Sequence, residues 1–188
     1  MRPAGTLVVL LAIVVTLFAC GSEQVTEKLI EPGVAGPQTQ LIKPSDRVFA
    51  IDDFEAAGLK YSKDYKTDGL PDATSVSLFF WKVDGTPVQY EVRFYGSHDE
   101  AVSSGMSYAI EGAGPDAVID PDFARYTEGL RDRRTIVHTR GSPTPRYGDF
   151  VIYGNMIALC EGRDAEQGSE RCARLVEALD STPGLVRE

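Results

Sequence analysis

The sequence predicts an α+β fold in two layers, an antiparallel sheet of about four to five strands with helices packed on one face. Three observations indicate this fold. Two aromatic-rich segments, Val76–Val83 and Val88–Tyr95, have the length and composition of paired strands. A pattern with helical spacing follows them directly. A second pair of apolar strand segments, followed by another helical pattern, comes later in the chain.

The first strand pair follows a polar, turn-rich stretch, Tyr61–Asp72, and is joined by a turn at Asp84–Pro87. The second strand alternates between apolar and polar side chains, which predicts one face on a core and one face toward water. The apolar face comprises Val88, Tyr90, Val92 and Phe94, and the polar face comprises Gln89, Glu91 and Arg93.

Helix boundaries are indicated by capping residues. Asp52 is expected to cap a short helix at Asp53–Ala57. Ser97 and Glu100 have the spacing of a capping box, which predicts the start of a longer helix that ends at Gly112.

The second half of the chain repeats the strand–strand–helix order. Phe150–Tyr153 and Met156–Cys160 flank Gly154–Asn155, which predicts a hairpin with a two-residue turn. A final helix is predicted at about Ala165–Asp180, and a further strand at Arg134–Thr139.

An apolar run, Leu7–Ala19, follows Arg2 and precedes Cys20. This is the layout of an export signal, and the run is shorter than the ~20 residues that usually span a bilayer. The segment Leu17–Cys20 resembles the lipobox of bacterial lipoproteins, with an aliphatic residue three positions before the cysteine and a small residue directly before it. Phe18 is larger than the residue usual at its position.

This resemblance implies that residues 1–19 are a signal peptide and that Cys20 carries lipid after cleavage. The domain would then be exported and anchored to the cell membrane or outer membrane, facing the periplasm or the exterior. Gly21, in place of Asp, favours the outer membrane. An uncleaved anchor helix and cleavage at another position are the alternatives. Residues 20–40, rich in Gly, Pro and polar residues, are expected to form a flexible tether, with a single domain at 41–188.

Two cysteines, Cys160 and Cys172, remain if Cys20 is acylated. Export into an oxidising compartment makes a disulfide between them the favoured interpretation. A metal-binding or redox-active pair is the alternative, although both usually have closer spacing.

The formal net charge of −9 argues against a nucleic-acid partner, because phosphate backbones are recognised by clustered basic residues. It also argues against electrostatic attachment to anionic lipid, which leaves the acyl chains on Cys20 as the membrane contact.

Arginine is unevenly distributed in this acidic chain. Between the first and last members of one group, Glu128 and Asp132 are the only acids. Arginine forks suit carboxylate and phosphate ligands, so the group is a candidate anion-binding surface; pairing with the protein's own acids is the alternative. The group comprises Arg125, Arg131, Arg133, Arg134, Arg140 and Arg146.

No other pattern predicts a metal, cofactor or catalytic site. His98 lies in the predicted capping box and His138 in a predicted strand, and neither has a second histidine at ligand spacing. Two acidic clusters are attributed to turn chemistry: Asp64, Asp68 and Asp72, and Asp116, Asp120 and Asp122. The aromatic residues of the first hairpin are expected to lie mostly in the core, with Trp81 or Tyr95 as a candidate stacking surface: Phe79, Phe80, Trp81, Tyr90, Phe94 and Tyr95.

These observations favour a non-enzymatic, membrane-anchored module that binds an envelope protein or a small anionic ligand. One alternative is a surface hydrolase or metal-dependent enzyme that uses His138 with nearby Asp or Arg residues. Another is a structural subunit of an envelope complex, which would expose a large apolar patch on the aromatic hairpin.

Overall fold

Six strands form one mixed sheet, and helices pack on both of its faces. The computed structural model describes residues 41–136 and 141–182. The signal peptide, Cys20, the tether, His138 and Arg140 lie outside these residues. Within them the elements are β1 (Leu41–Lys43), α1 (Ile51–Ala56), β2 (Lys60–Tyr65), β3 (Ser75–Val83), β4 (Thr86–Phe94), α2 (His98–Glu100), a π-helical segment (Ala101–Gly105), α3 (Met106–Gly112), β5 (Arg134–Ile136), β6 (Pro143–Pro145), β7 (Tyr147–Tyr153), β8 (Met156–Glu161) and α4 (Ala165–Ser181).

The strand order of the main sheet is β1-β7-β8-β4-β3-β2, and β5 and β6 form a separate two-stranded ribbon. β1 runs parallel to β7, whereas the other neighbours are antiparallel. The α+β class is therefore confirmed, but the sheet is larger than the predicted four to five strands. The two additional strands are its edges. β1 has three residues, and β2 lies in the polar stretch for which the sequence predicts turns.

Alternate residues of the central strands contribute to two separate cores, which contradicts the prediction of two layers. On the first face, Ala158 and Cys160 of β8 pack with Phe54 of α1 and with the apolar stripe of α4. On the second face, Ile157 and Leu159 pack with alanines of the helix that contains α2 and α3. The molecule therefore has three layers, helix–sheet–helix.

The helix on the second face approaches the sheet closely because glycines face it. A Cβ atom at Gly105 would lie 2.4 Å from the hydroxyl of Tyr95, and one at Gly112 would lie 2.8 Å from Leu159 Cδ2. Any larger side chain would push the helix away. The second face of β4, predicted to be solvent-exposed, is consequently buried, and this includes Glu91 and Arg93.

Both predicted hairpins are present. The β3–β4 turn consists of Asp84 and Gly85, which have φ of 50° and 80°, so β4 begins two residues earlier than the sequence suggests. The β7–β8 turn is formed by Gly154 and Asn155. Asn155 is buried and hydrogen-bonds the backbone of Phe49 and Tyr95, which ties the turn to both neighbouring segments.

The capping predictions are confirmed in part. The Ser97 hydroxyl accepts from the Glu100 amide at 3.2 Å, as a capping box requires. For α1 the N-cap position is Ala50 rather than Asp52, and the Asp53 carboxylate accepts from the Ala50 amide at 2.8 Å. In the described part of the chain, no helix combines the length and apolarity needed to cross a membrane.

Candidate functional site

The structure separates the arginines that the sequence groups together. Arg125 lies on the surface, where it pairs with Glu111 and donates to the Ser107 carbonyl at 2.8 Å. Arg131 is exposed in a turn. The remaining described members lie on or beside the β5–β6 ribbon, where Arg133 is buried and Arg134 and Arg146 are half-buried. The five described members do not form one basic surface, and Arg140 lies outside the described residues.

Arg133 belongs to a buried ionic cluster centred on Glu91. Arg133 Nε donates to Glu91 Oε2 at 2.7 Å, and Arg93 Nε donates to Glu91 Oε1 at 2.9 Å. The exposed fractions are 0% for Glu91 and Arg93 and 3% for Arg133. Burial alone would raise the pKa of Glu91, but the attraction of the two guanidinium groups outweighs it and holds this pKa below its usual value.

The two arginines of this cluster are satisfied to different degrees. Arg133 also donates to the carbonyls of Tyr126 and Glu128, at 2.9 and 2.6 Å. Arg93 Nη2 lies within ion-pair distance of Glu91 but is not aligned for a hydrogen bond, and neither Nη atom has a hydrogen-bond partner among the described residues. The cluster therefore carries one excess positive charge inside the protein.

Gln89 lies on the same face of β4 as Glu91, two residues away, and bonds toward the outside of the domain. Its side-chain amide donates to the Tyr147 hydroxyl at 2.7 Å and to the Asp132 carbonyl at 3.2 Å. Its backbone amide donates to Glu161 Oε2 at 2.7 Å. Glu161 is thereby held against the strand that carries Glu91.

Glu161 lies in the wall of a cleft of about 780 Å³. The cleft is bordered by the β5–β6 ribbon, the start of β7, the segment after α3, and the β8–α4 connection together with the first turns of α4. This volume lies within the range of about 300–1,000 Å³ that is usual for small-molecule sites. The charged lining residues are Arg146, Glu161, Arg163, Asp164 and Arg171.

Arg146 and Arg171 approach Glu161 from two elements. Arg146, just after β6, donates from Nη1 to Glu161 Oε1 at 3.3 Å, and its other nitrogens donate to the carbonyls of Asp132 and Arg134. Arg171, in α4, donates from Nη1 to the Glu161 carbonyl at 2.7 Å. Two guanidinium groups thus bond Glu161 at the cleft wall, Arg146 at its carboxylate and Arg171 at its backbone carbonyl.

Glycines fix the start of α4 against the sheet. A Cβ atom at Gly148 would lie 2.0 Å from the Asp164 carbonyl oxygen, and one at Gly168 would lie 2.4 Å from the Asp149 amide. Such contacts are shorter than any side chain tolerates, so only glycine permits this approach. Asp164 then caps the helix by accepting from the Gln167 amide at 2.9 Å.

The Cys160–Cys172 disulfide braces the same helix. As predicted, the bond joins β8 to α4, across 12 residues of sequence. Cys172 lies one residue after Arg171, so the bond also holds that arginine in position beside Glu161.

The structure gives structural roles to most of the remaining candidate residues, whereas Trp81 is half-buried and Phe80 is exposed. His98 is half-buried, with Nδ1 3.0 Å from the Gly154 carbonyl oxygen. Phe79, Tyr90, Phe94 and Tyr95 are buried, as predicted for the aromatic hairpin, and this excludes Tyr95 as a stacking surface.

The acidic clusters also have local partners. Asp64 accepts from the Ser77 hydroxyl, and Asp72 accepts from the Ser104 hydroxyl. Across residues 41–136 and 141–182, no group of three or more His, Cys, Asp or Glu side chains is arranged to hold a metal ion.

Sequence reasoning missed Arg171 and Glu161 as neighbours of Arg146. Arg171 resembles any charged residue of a helix surface, and Glu161 simply follows a strand. The predicted disulfide could have pointed to them, because Glu161 directly follows Cys160 and Arg171 directly precedes Cys172.

These features define a single mixed-sheet domain with a buried arginine–carboxylate cluster and a ligand-sized cleft. The sequence profile of DUF6810, a family of unknown function, matches residues 50–181. This span covers most of the chain and includes both the cluster and the cleft, and the protein therefore belongs to this family. No curated protein and no solved structure matches the chain significantly.

Proposed function

We propose that this protein is an exported lipoprotein, anchored through acylated Cys20, whose domain binds a ligand in the cleft beside α4. The proposal of export has two supports. One is the resemblance of Leu17–Cys20 to a lipobox. The other is the Cys160–Cys172 disulfide, since such bonds persist in oxidising compartments and are rare in the cytosol.

The observation that carries the binding role is the cleft itself. It has the volume of a small-molecule site, and a disulfide, close glycine contacts and hydrogen bonds to Glu161 hold its walls. Preorganised walls favour binding because little conformational entropy is lost when the ligand is bound. Of the two proposed partners, an envelope protein and a small anionic ligand, the concave shape favours the small ligand.

The chemistry of the walls supports binding. Both oxygens of Glu161 and both oxygens of Asp164 already accept hydrogen bonds from the protein. These bonds hold both carboxylates in place within the wall. The three arginines of the lining carry only hydrogen-bond donors, which suit the binding of an acceptor ligand.

The anchor is tested by expressing the full chain in a bacterial host and separating membrane from soluble fractions. We expect acyl mass on the peptide that begins at Cys20, and loss of the Cys20→Ala variant from the membrane fraction. Ser22→Ala is the matched control and should remain membrane-bound. Retention of Cys20→Ala in the membrane would refute lipid anchoring through this residue.

The binding role is tested separately on full-length protein purified in detergent. Native mass spectrometry of protein taken directly from membranes should detect a bound small molecule. A Trp at position 165, introduced as Ala165→Trp to fill the cleft, should remove it. A ligand that is retained by this variant would place binding elsewhere.

A further inference from the structure

The cleft is rich in unused hydrogen-bond donors. A guanidinium group carries five N–H donors. Within the described residues, Arg171 uses one nitrogen, toward the Glu161 carbonyl, and Arg146 uses three. Both side chains are half-buried rather than fully solvated, so their remaining donors gain from a partner with negative charge.

The acceptors of the cleft are already engaged. Glu161 Oε2 accepts from the Gln89 amide at 2.7 Å, and Oε1 accepts from Arg146. Asp164 accepts from Gln167 through one oxygen and from Arg163 through the other. Each of these oxygens accepts one bond and keeps one further acceptor site. A ligand that enters the cleft therefore meets more free donors on the arginines than free acceptor sites on the acids.

Charge balance favours a monoanionic ligand. The lining contains three arginines and two acids, which leaves one excess positive charge. A single carboxylate neutralises this excess. A phosphate dianion would leave a net negative charge beside Glu161, whose side chain is 26% exposed. The start of α4, which also borders the cleft, favours negative charge in the same way.

The rest of the cleft suits a carbon skeleton. Pro115, Pro145 and Ala165 present apolar surface, and the volume of about 780 Å³ far exceeds what a carboxylate alone needs. We infer that the cleft binds a small carboxylic acid, with its carboxylate between Arg146 and Arg171 and its carbon skeleton against the two prolines. This inference rests on the proposed role of the cleft as a binding site and adds the chemical class of the ligand.

The test compares three probes of similar shape and different charge on the full-length protein in detergent. Benzoate is a monoanion, benzamide is its neutral counterpart, and phenyl phosphate is largely a dianion at neutral pH. Ligand-observed NMR titrations measure the three dissociation constants. We expect benzoate to bind at least about tenfold more tightly than benzamide, the factor typical of one charged hydrogen bond. Phenyl phosphate should bind more weakly than benzoate.

Variants locate the carboxylate. Arg171→Gln should reduce the affinity for benzoate by about tenfold or more and leave the affinity for benzamide unchanged. Arg171→Lys retains the charge without the planar fork and should give an intermediate loss. Arg174→Gln is the matched control, because Arg174 lies on the same helix, pairs with Asp84 and does not line the cleft. Melting temperatures of all variants verify that each remains folded.

Three results would overturn the inference. If benzoate and benzamide bind equally and both are excluded by Ala165→Trp, the cleft remains a binding site but does not select anions. If phenyl phosphate binds more tightly than benzoate, the site is built for a dianion. If Ala165→Trp changes the affinity for none of the three probes, both the inference and the proposed use of the cleft are wrong. The wild-type comparison alone decides charge selection, even if an arginine variant does not fold.

Discussion

Arg133 and Glu91, 42 residues apart in the sequence, form a buried ion pair in which Arg133 Nε lies 2.7 Å from Glu91 Oε2. Arg93 engages the other oxygen of the same carboxylate. Glu91 is therefore the negative charge on which two buried arginines depend.

Glu91→Gln should strongly destabilise the domain, because it leaves Arg93 and Arg133 buried with no negative partner. Removing one member of a buried ion pair typically costs about 3–5 kcal/mol. Urea unfolding followed by circular dichroism measures the change. Asp84→Asn is the control, since Asp84 pairs with Arg174 on the surface, where such pairs contribute about 0–1 kcal/mol. If the two variants lose equal stability, the buried pair has no special role.

The contribution of Glu91 should also depend on pH. Its folded-state pKa is depressed below the ordinary 4.5, so its stabilisation is complete above that pH and disappears as the pH falls through the folded value. The difference in unfolding free energy between wild type and Glu91→Gln should therefore shrink below pH 4.5. Unfolding curves at a series of acidic pH values test this, and a constant difference would contradict it.

Loss of the disulfide should weaken the attachment of α4 to the sheet. The double variant Cys160→Ala/Cys172→Ala removes a crosslink across 12 residues of sequence, for which an unfolding free energy lower by about 2–4 kcal/mol is expected. Wild-type protein unfolded with and without reducing agent should differ similarly. The double variant should no longer respond to reductant, and a continued response would point to other thiols.

Gly148→Ala should disturb both stability and the cleft. The added methyl would overlap the backbone of Asp164, and overpacking of this kind typically costs about 1–3 kcal/mol. Because the overlap shifts the first turn of α4, benzoate binding should weaken as well. Gly96→Ala is the control, since its Cβ would meet only the flexible Glu100 side chain. Unchanged stability of Gly148→Ala would contradict the close contact.

The periodicity of a sequence reveals strands and their apolar faces, but it does not reveal what covers the opposite face. Alternation along β4 correctly predicts a strand and its apolar face. It does not reveal that α3 covers the polar face, because burial of Glu91 and Arg93 depends on partners distant in sequence. The polar side chains of β4 therefore indicate solvent exposure, although the fold buries them. Glu91 can be buried because Arg133, which is distant in sequence, lies beside it and balances its charge.

The outer strands and the cleft cannot be recognised from the sequence pattern either. β2 is a polar edge strand, and β6 begins and ends with proline, so neither has the composition of a strand. Of the arginines that the sequence singles out, Arg146 is the only one within the described ranges that lines the cleft. Its partner Arg171 comes from a different element, which the close glycine contacts with β7, the disulfide and the apolar core bring near.

The position of β1 determines how the domain would carry mechanical load. β1 is a three-residue edge strand, paired in parallel with β7, and it comes directly after the proposed tether. Tension from a lipid anchor would therefore act first on the few hydrogen bonds between these strands. If they detach, the force next reaches Arg47, which donates to the Leu179 carbonyl of α4 at 2.8 Å, and then Phe49, which is buried in the core and bound through its amide to Asn155. The short strand would thus be the first part of the described domain to yield under such a load.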